Sequence, residues 1–221
     1  MHQLALPIRT WGGRRRGAGR PVSAGRRTVP HRRREAHDRC CPAHVTLRAT
    51  SGLPSLRDEP TMAAIRRAFA ALGTPGFRVL HYSVQRDHLH LLVEADAVSR
   101  FTRGVQGLAI RLAKAINRVV GRHGHVWGDR YHARLLRTPR EVRHALVYVL
   151  NNARKHLRAV RGLDPCSSAA WFDGWAATPT PPRGPAPVAR PRTWLARLGW
   201  RRLGLIDVHE APSAVRVRRN R

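Results

Sequence analysis

The 221 residues suffice for one folded domain with extensions, and 42 Lys and Arg against 13 Asp and Glu leave a formal net charge of +29. Nearly all the cations are Arg, the side chain suited to bidentate phosphate contacts, so nucleic acid is the expected partner, ahead of an anionic membrane surface. No apolar run reaches the ~18 residues of a membrane span, Pro7 interrupts the apolar 4–8 segment, and three cysteines without C-x-x-C spacing argue against a disulfide framework or a structural zinc site; a cytoplasmic chain is expected.

Residues 1–42 interleave Arg runs with Gly and Pro, as in Gly12-Gly13-Arg14-Arg15-Arg16-Gly17, without apolar periodicity. This predicts a disordered basic arm that contacts phosphate backbones. From His44, Val45 and Leu47 alternate with Thr46 and Arg48 in a strand. Asp58 is placed to cap a helix whose first turn holds Glu59 and Pro60, with Ile65, Phe69 and Leu72 as its apolar stripe and Gly73 as its end. Residues 77–84 read as a strand, and the polar Gln85-Arg86-Asp87 break makes the stretch after it the second arm of a hairpin.

That arm is His88-Leu89-His90-Leu91-Leu92-Val93-Glu94. A period of two puts His88, His90, Leu92 and Glu94 on one face and Leu89, Leu91 and Val93 on the other. The imidazoles then stand roughly 6 to 7 Å apart at ~3.3 Å per residue, close enough to converge on one metal ion. Among 13 His an H-x-H triplet arises about once by chance, and His123-Gly124-His125 is a second, so the triplet needs partners elsewhere in the chain.

Residues 98 to about 122 carry the clearest helical period, with Val98, Phe101, Val105, Leu108, Leu112, Ile116 and Val119 at steps of three or four. Arg100, Arg103, Arg111, Lys114, Arg118 and Arg122 lie elsewhere on that helix, either tracking a nucleic-acid backbone or simply solvated. Val126-Trp127-Gly128-Asp129-Arg130-Tyr131 leads to a strand at 133–136. Thr138-Pro139-Arg140-Glu141 then combines an N-cap, a first-turn Pro and a capping-box Glu. Val142, Ala145, Leu146, Val149 and Leu150 bury that helix, and His144, Tyr148, Asn152 and His156 form a polar stripe beside them, with Tyr148 and Asn152 one turn apart.

Asp164-Pro165 is a turn, and Trp171, Phe172 and Trp175 are expected to pack back on the domain. The prolines between 179 and 191 read as an extended linker, Trp194, Leu195, Leu198 and Trp200 as an amphipathic patch fit to dock, and 215–221 as a frayed basic end. The expected organisation is a basic arm at 1–42, a domain at 43–175, and a linker with a basic tail at 176–221.

The matching residues His88-Leu89-His90-Leu91-Leu92, Trp127-Gly128-Asp129-Arg130-Tyr131 and Tyr148-Val149-Leu150-Asn151-Asn152 make the sequence resemble the single-tyrosine HUH transposases of bacterial insertion sequences, most closely their REP-associated tyrosine transposase branch. Gly12 to Pro21, His44-Val45-Thr46-Leu47-Arg48, Trp171-Phe172-Asp173-Gly174-Trp175 and Thr193-Trp194-Leu195 also look like this branch. The resemblance implies a ferredoxin-like α+β domain, an antiparallel sheet with helices on one face, that cuts and rejoins single-stranded DNA beside a hairpin. It implies that His88, His90 and Asn152 hold one divalent ion, Mg or Mn, and that Tyr148 is the nucleophile, giving a 5′-phosphotyrosine. The branch usually shows Asn-Pro where this chain has Asn152-Ala153, and insertion-sequence relatives use Gln at the Asn152 position.

Tyr82 and Tyr131 are expected to be structural, and His144 solvated on its stripe; Glu94 is a candidate for a group behind the metal ligands. A cytoplasmic, nucleoid-associated protein follows from the DNA partner, with monomer and homodimer both open. The competing expectations are a domesticated, non-catalytic hairpin-binding protein and a metal-dependent phosphoesterase without a covalent intermediate.

Overall fold

The computed structural model describes residues 38–153 and 162–212, apart from 178, 181 and 183. Most of the basic arm, His156 and the frayed end at 215–221 therefore lie outside the described residues. The elements run β1 (Ala43–Arg48), α1 (Glu59–Ala70), β2 (Phe77–Val84), β3 (His88–Ala95), α2 (Val98–Val120), β4 (His132–Leu135) and α3 (Pro139–Leu150), followed by a short helix α4 (Trp194–Arg197) and two 3-10 segments (Ala169–Trp171 and Gly199–Leu203). The four strands form one antiparallel sheet in the order β2-β3-β1-β4, the order of a ferredoxin-like split βαβ fold.

Cross-strand register builds two unlike sheet faces. Ala43, Val45 and Leu47 pair with Val93, Leu91 and Leu89 on one face, and all six side chains are buried. Helices α1 and α2 pack together over this face, where Phe69 stacks on Tyr82 with ring centroids 4.3 Å apart and Gly104 lies directly against the Phe77 ring. The other face carries Thr46 opposite His90 and Arg48 opposite His88. Strand β2 joins this alternation only because a bulge between Val79 and His81 shifts its parity, so that Tyr82 and Val84 face α1 while Ser83 pairs with His90.

The expected topology is present, and helices α1 and α2 share one face as anticipated. Helix α3 differs, since it lies across the opposite face, where its Tyr148 meets His90. It follows β4, an edge strand, at a stage when α1 and α2 already cover the apolar face. Its start is as the sequence predicts, with the Glu141 N–H donating to Thr138 Oγ1 at 3.2 Å. The reciprocal bond is displaced by one residue, because Glu141 accepts from the Arg137 N–H at 2.8 Å and from Arg134 at 2.7 Å.

Three smaller expectations are corrected. Asp58 occupies the N-cap of α1 but its side chain makes no cap bond, and α1 closes at Ala71, before Gly73. Val98 and Val119, assigned to the buried stripe of α2, are 50% and 37% exposed because they sit at the helix ends, beyond the reach of the sheet. The Trp127-Gly128 motif has a structural account: the indole N–H donates to the Ala109 carbonyl of α2 at 2.8 Å and the Gly128 N–H to Arg48 of β1 at 2.9 Å.

The aromatic cluster packs back as expected, with Phe172 against Trp175 and Trp200. In the amphipathic patch Leu195, Ala196 and Trp200 are buried, whereas Trp194 and Leu198 are half-exposed. The anchor of this segment is Glu94. Fully buried on β3, it accepts from Thr193 Oγ1 at 2.7 Å, from the Thr193 N–H at 3.0 Å, from the Arg192 N–H at 2.9 Å and from Arg78 at 3.4 Å. Glu94 thus ties down the chain's C-terminal segment and stands behind no metal ligand.

Candidate active site

Strand alternation puts His88 and His90 side by side on the face covered by α3, with ring centroids 4.7 Å apart and planes at 82°. Neighbours orient each ring. Asp87 Oδ1 lies 2.7 Å from His88 Nδ1, and the Asp87 carboxylate also pairs with Arg48 at 3.1 Å. Partial burial raises the Asp87 pKa, but the hydrogen bond to His88 and the charges of His88 and Arg48 outweigh it, so the carboxylate ionises below its ordinary range. His90 Nδ1 stands 3.2 Å from Thr46 Oγ1 and 3.2 Å from His44 Nε2. Each imidazole thereby has its Nδ1 engaged, an arrangement that orients the ring and fixes its tautomer.

On the other side of His90 lies Tyr148. Its hydroxyl is 3.5 Å from His90 Nε2, with the rings 4.9 Å apart and edge-on. The His44 ring is 5.5 Å from the same phenol. Burial raises the pKa of Tyr148 and lowers that of His44 to about 4, the latter with help from His132 and Arg134. Both are therefore neutral in this arrangement at neutral pH. The sequence does not single out His44, Thr46 or Asp87 for this site, because their roles depend on register and on a turn; the signal is that His44 and Thr46 share a strand face.

Asn152 follows Tyr148 by one helical turn and is fully buried. Neither its Oδ1 nor its Nδ2 has a hydrogen-bond partner among the described residues. A buried amide left unsatisfied costs about 1–3 kcal/mol, a penalty that an ion accepting its oxygen would offset. No group of three or more His, Cys, Asp or Glu side chains stands ready for a metal among the described residues. The two adjacent, oriented imidazoles are nevertheless chemically suitable donors for one divalent ion.

The remaining expected residues fall elsewhere. His144 is exposed one turn before Tyr148, and His123 and His125 are exposed after α2. Tyr82 is fully buried, with its hydroxyl pushed up to about 12 chiefly by that burial, and Tyr131 packs near Phe101. Both belong to the core.

Fold and site together define an α+β domain that sets a phenol beside oriented imidazoles on the α3-covered face of a ferredoxin-like sheet. Residues 44–152 match the family described as Transposase IS200 like, and the chain carries a domain of that transposase family over these residues. No curated protein matches the chain. Among solved structures, a REP-associated tyrosine transposase bound to a REP hairpin is similar, at 19% identity and a TM-score of 0.47, over 63% of this chain and 82% of that one.

Proposed function

We propose that this transposase domain cleaves and rejoins single-stranded DNA at hairpin-bearing sites through Tyr148, in the manner of the REP-associated branch. The observation that carries the reading is the 3.5 Å approach of the Tyr148 hydroxyl to Nε2 of His90, on the face that His90 shares with His88. Tyr148 is the nucleophile: its oxygen forms a bond to phosphorus as the bond to the 3′ oxygen breaks, leaving a 5′-phosphotyrosine and a free 3′ hydroxyl. The phenol gives up one proton and the departing oxygen gains one, so rejoining by a 3′ hydroxyl is the same reaction reversed. The phosphodiester energy is kept in the tyrosine ester.

His88, His90 and Asn152 would hold one Mg or Mn ion. Such an ion, when bound, polarises a non-bridging phosphate oxygen. Asp87, Thr46 and His44 orient the two rings from behind. The surplus of Arg supplies the attraction for the polyanion, and a DNA substrate would place the protein at the nucleoid.

Incubating the chain with labelled hairpin-bearing single strands and Mn should give an adduct that survives denaturing electrophoresis and is absent in Tyr148→Phe. An adduct that persists in that variant overturns the assignment. Tight, salt-sensitive binding with no adduct in the unaltered chain would instead identify a domesticated hairpin-binding protein.

A further inference from the structure

We infer that residues 204–210 act as an intramolecular strap that holds α3 in place, so that Tyr148 is presented to His90 of its own chain, with Arg143, Asn151 and Glu210 as positioning residues. The inference rests on the reading of Tyr148 as the nucleophile and adds to it what fixes that side chain.

The strap grips α3 on either side of Tyr148. Five residues before it, the Arg143 guanidinium donates to the Glu210 carboxylate twice, at 2.5 and 2.8 Å, and to the carbonyls of Gly204 and Leu205, each at 3.1 Å. Three residues after it, Asn151 Nδ2 donates to the carbonyls of Asp207 at 3.2 Å and Glu210 at 2.9 Å. Four of these six contacts are to main chain, and a planar guanidinium bound at two edges fixes direction as well as distance.

The strap is itself fastened to the segment at 174–176. Ile206, fully buried, donates to Gly174 at 3.0 Å and accepts from Ala176 at 2.9 Å, while Trp200 packs against Gly174. Further back, Thr193 is bound to Glu94. Glu94 belongs to β3, the strand that carries His88 and His90. A continuous path of contacts therefore runs from the histidine strand through the C-terminal segment to the tyrosine helix, joining the two halves of the site by a route other than direct packing of α3 on the sheet.

Helix α3 already buries Val142, Ala145, Leu146, Val149 and Leu150, so its existence does not depend on the strap. What the strap adds is lateral position, and displacing reacting groups by about 1 Å costs on the order of 10²-fold in rate.

The test uses the full chain carrying 3-fluorotyrosine at position 148, whose 19F resonance reports the phenol's surroundings with no reaction required. Glu210→Ala should shift or broaden that resonance and slow single-turnover adduct formation at least ~tenfold, while metal-free hairpin affinity stays within about twofold, since α3's burial is untouched. Should Glu210→Ala fail to fold, Glu210→Gln decides by the same readouts. A resonance and a rate that both stay unchanged, or a rate that falls only in step with hairpin affinity, overturns the strap. If the unaltered chain forms no adduct, the nucleophile reading fails, and the 19F comparison still judges the strap.

Discussion

The Tyr148 hydroxyl and His90 Nε2 face each other at 3.5 Å, from a helix and a strand 58 residues apart in sequence. At that length the contact is weak as a hydrogen bond, so removing the hydroxyl should cost little stability. Tyr148→Phe is expected to unfold within about 1 kcal/mol of the unaltered chain in urea and yet to form no covalent adduct. A large stability loss would mean that the phenol is a structural group.

Asn152 offers the opposite balance. Its amide is buried without a partner among the described residues, so Asn152→Leu should raise metal-free stability by about 1 kcal/mol, by removing an unsatisfied polar group of similar volume. The same change should weaken Mn binding, read by electron paramagnetic resonance, by roughly 10- to 100-fold. Undiminished Mn affinity would remove Asn152 from the ligand set.

Glu94 is buried against Arg78 and three donors of the C-terminal segment. Glu94→Ala leaves the Arg192 and Thr193 donors without their acceptor and the Arg78 guanidinium with Asp96 alone, a loss of about 3–5 kcal/mol in denaturant unfolding. Glu94→Gln, which keeps the shape but not the charge, should lose less. Equal losses would show that packing, not the carboxylate, holds the segment.

Gly104 has no room for a side chain, since a Cβ there would enter the Phe77 ring. Gly104→Ala is expected to destabilise by about 1–3 kcal/mol, despite the better helix propensity of Ala. Adding Phe77→Leu should recover part of the loss, and thermal melts of the two variants measure it.

His81 sets a pH dependence of stability. Its ring is held by Ser168 and Phe172, with Asp173 near, and burial lowers its pKa from 6.5 to about 4. Between these values the unfolded chain binds a proton that the folded chain refuses. Stability is thus undiminished above pH 6.5 and falls as the pH drops toward 4, by about 2 kcal/mol once partial exposure is allowed for. His81→Gln should flatten the slope of unfolding free energy against pH in that window by up to one proton. His44 is present in both proteins and cancels in the comparison, so an unchanged slope would refute the assignment.

Local pattern made most of the architecture legible. Alternation placed β2 at its observed bounds and β3 to within one residue, and the Thr138 cap with its following Pro located the start of α3. The sheet face that α3 covers was not legible, because an amphipathic stripe says that a helix is buried without saying against what. Asp87 looked like a turn residue and Glu94 like the end of a strand. Their partners are set by a side-chain rotamer in one case and by a segment 99 residues away in the other, and neither leaves a local mark. The His88, His90 and Tyr148 grouping came from family resemblance; no spacing in the chain dictates it.

The bulge at Leu80 bears on how this chain is to be aligned with relatives. It changes the phase of β2 by half a period, so positions before and after it obey opposite inside–outside rules. A gapless alignment to a relative with a regular second strand would match core positions to site-facing ones across half of β2. The gap belongs between Val79 and His81, and substitution patterns tallied without it would assign Ser83, the neighbour of His90, to the wrong face of the sheet.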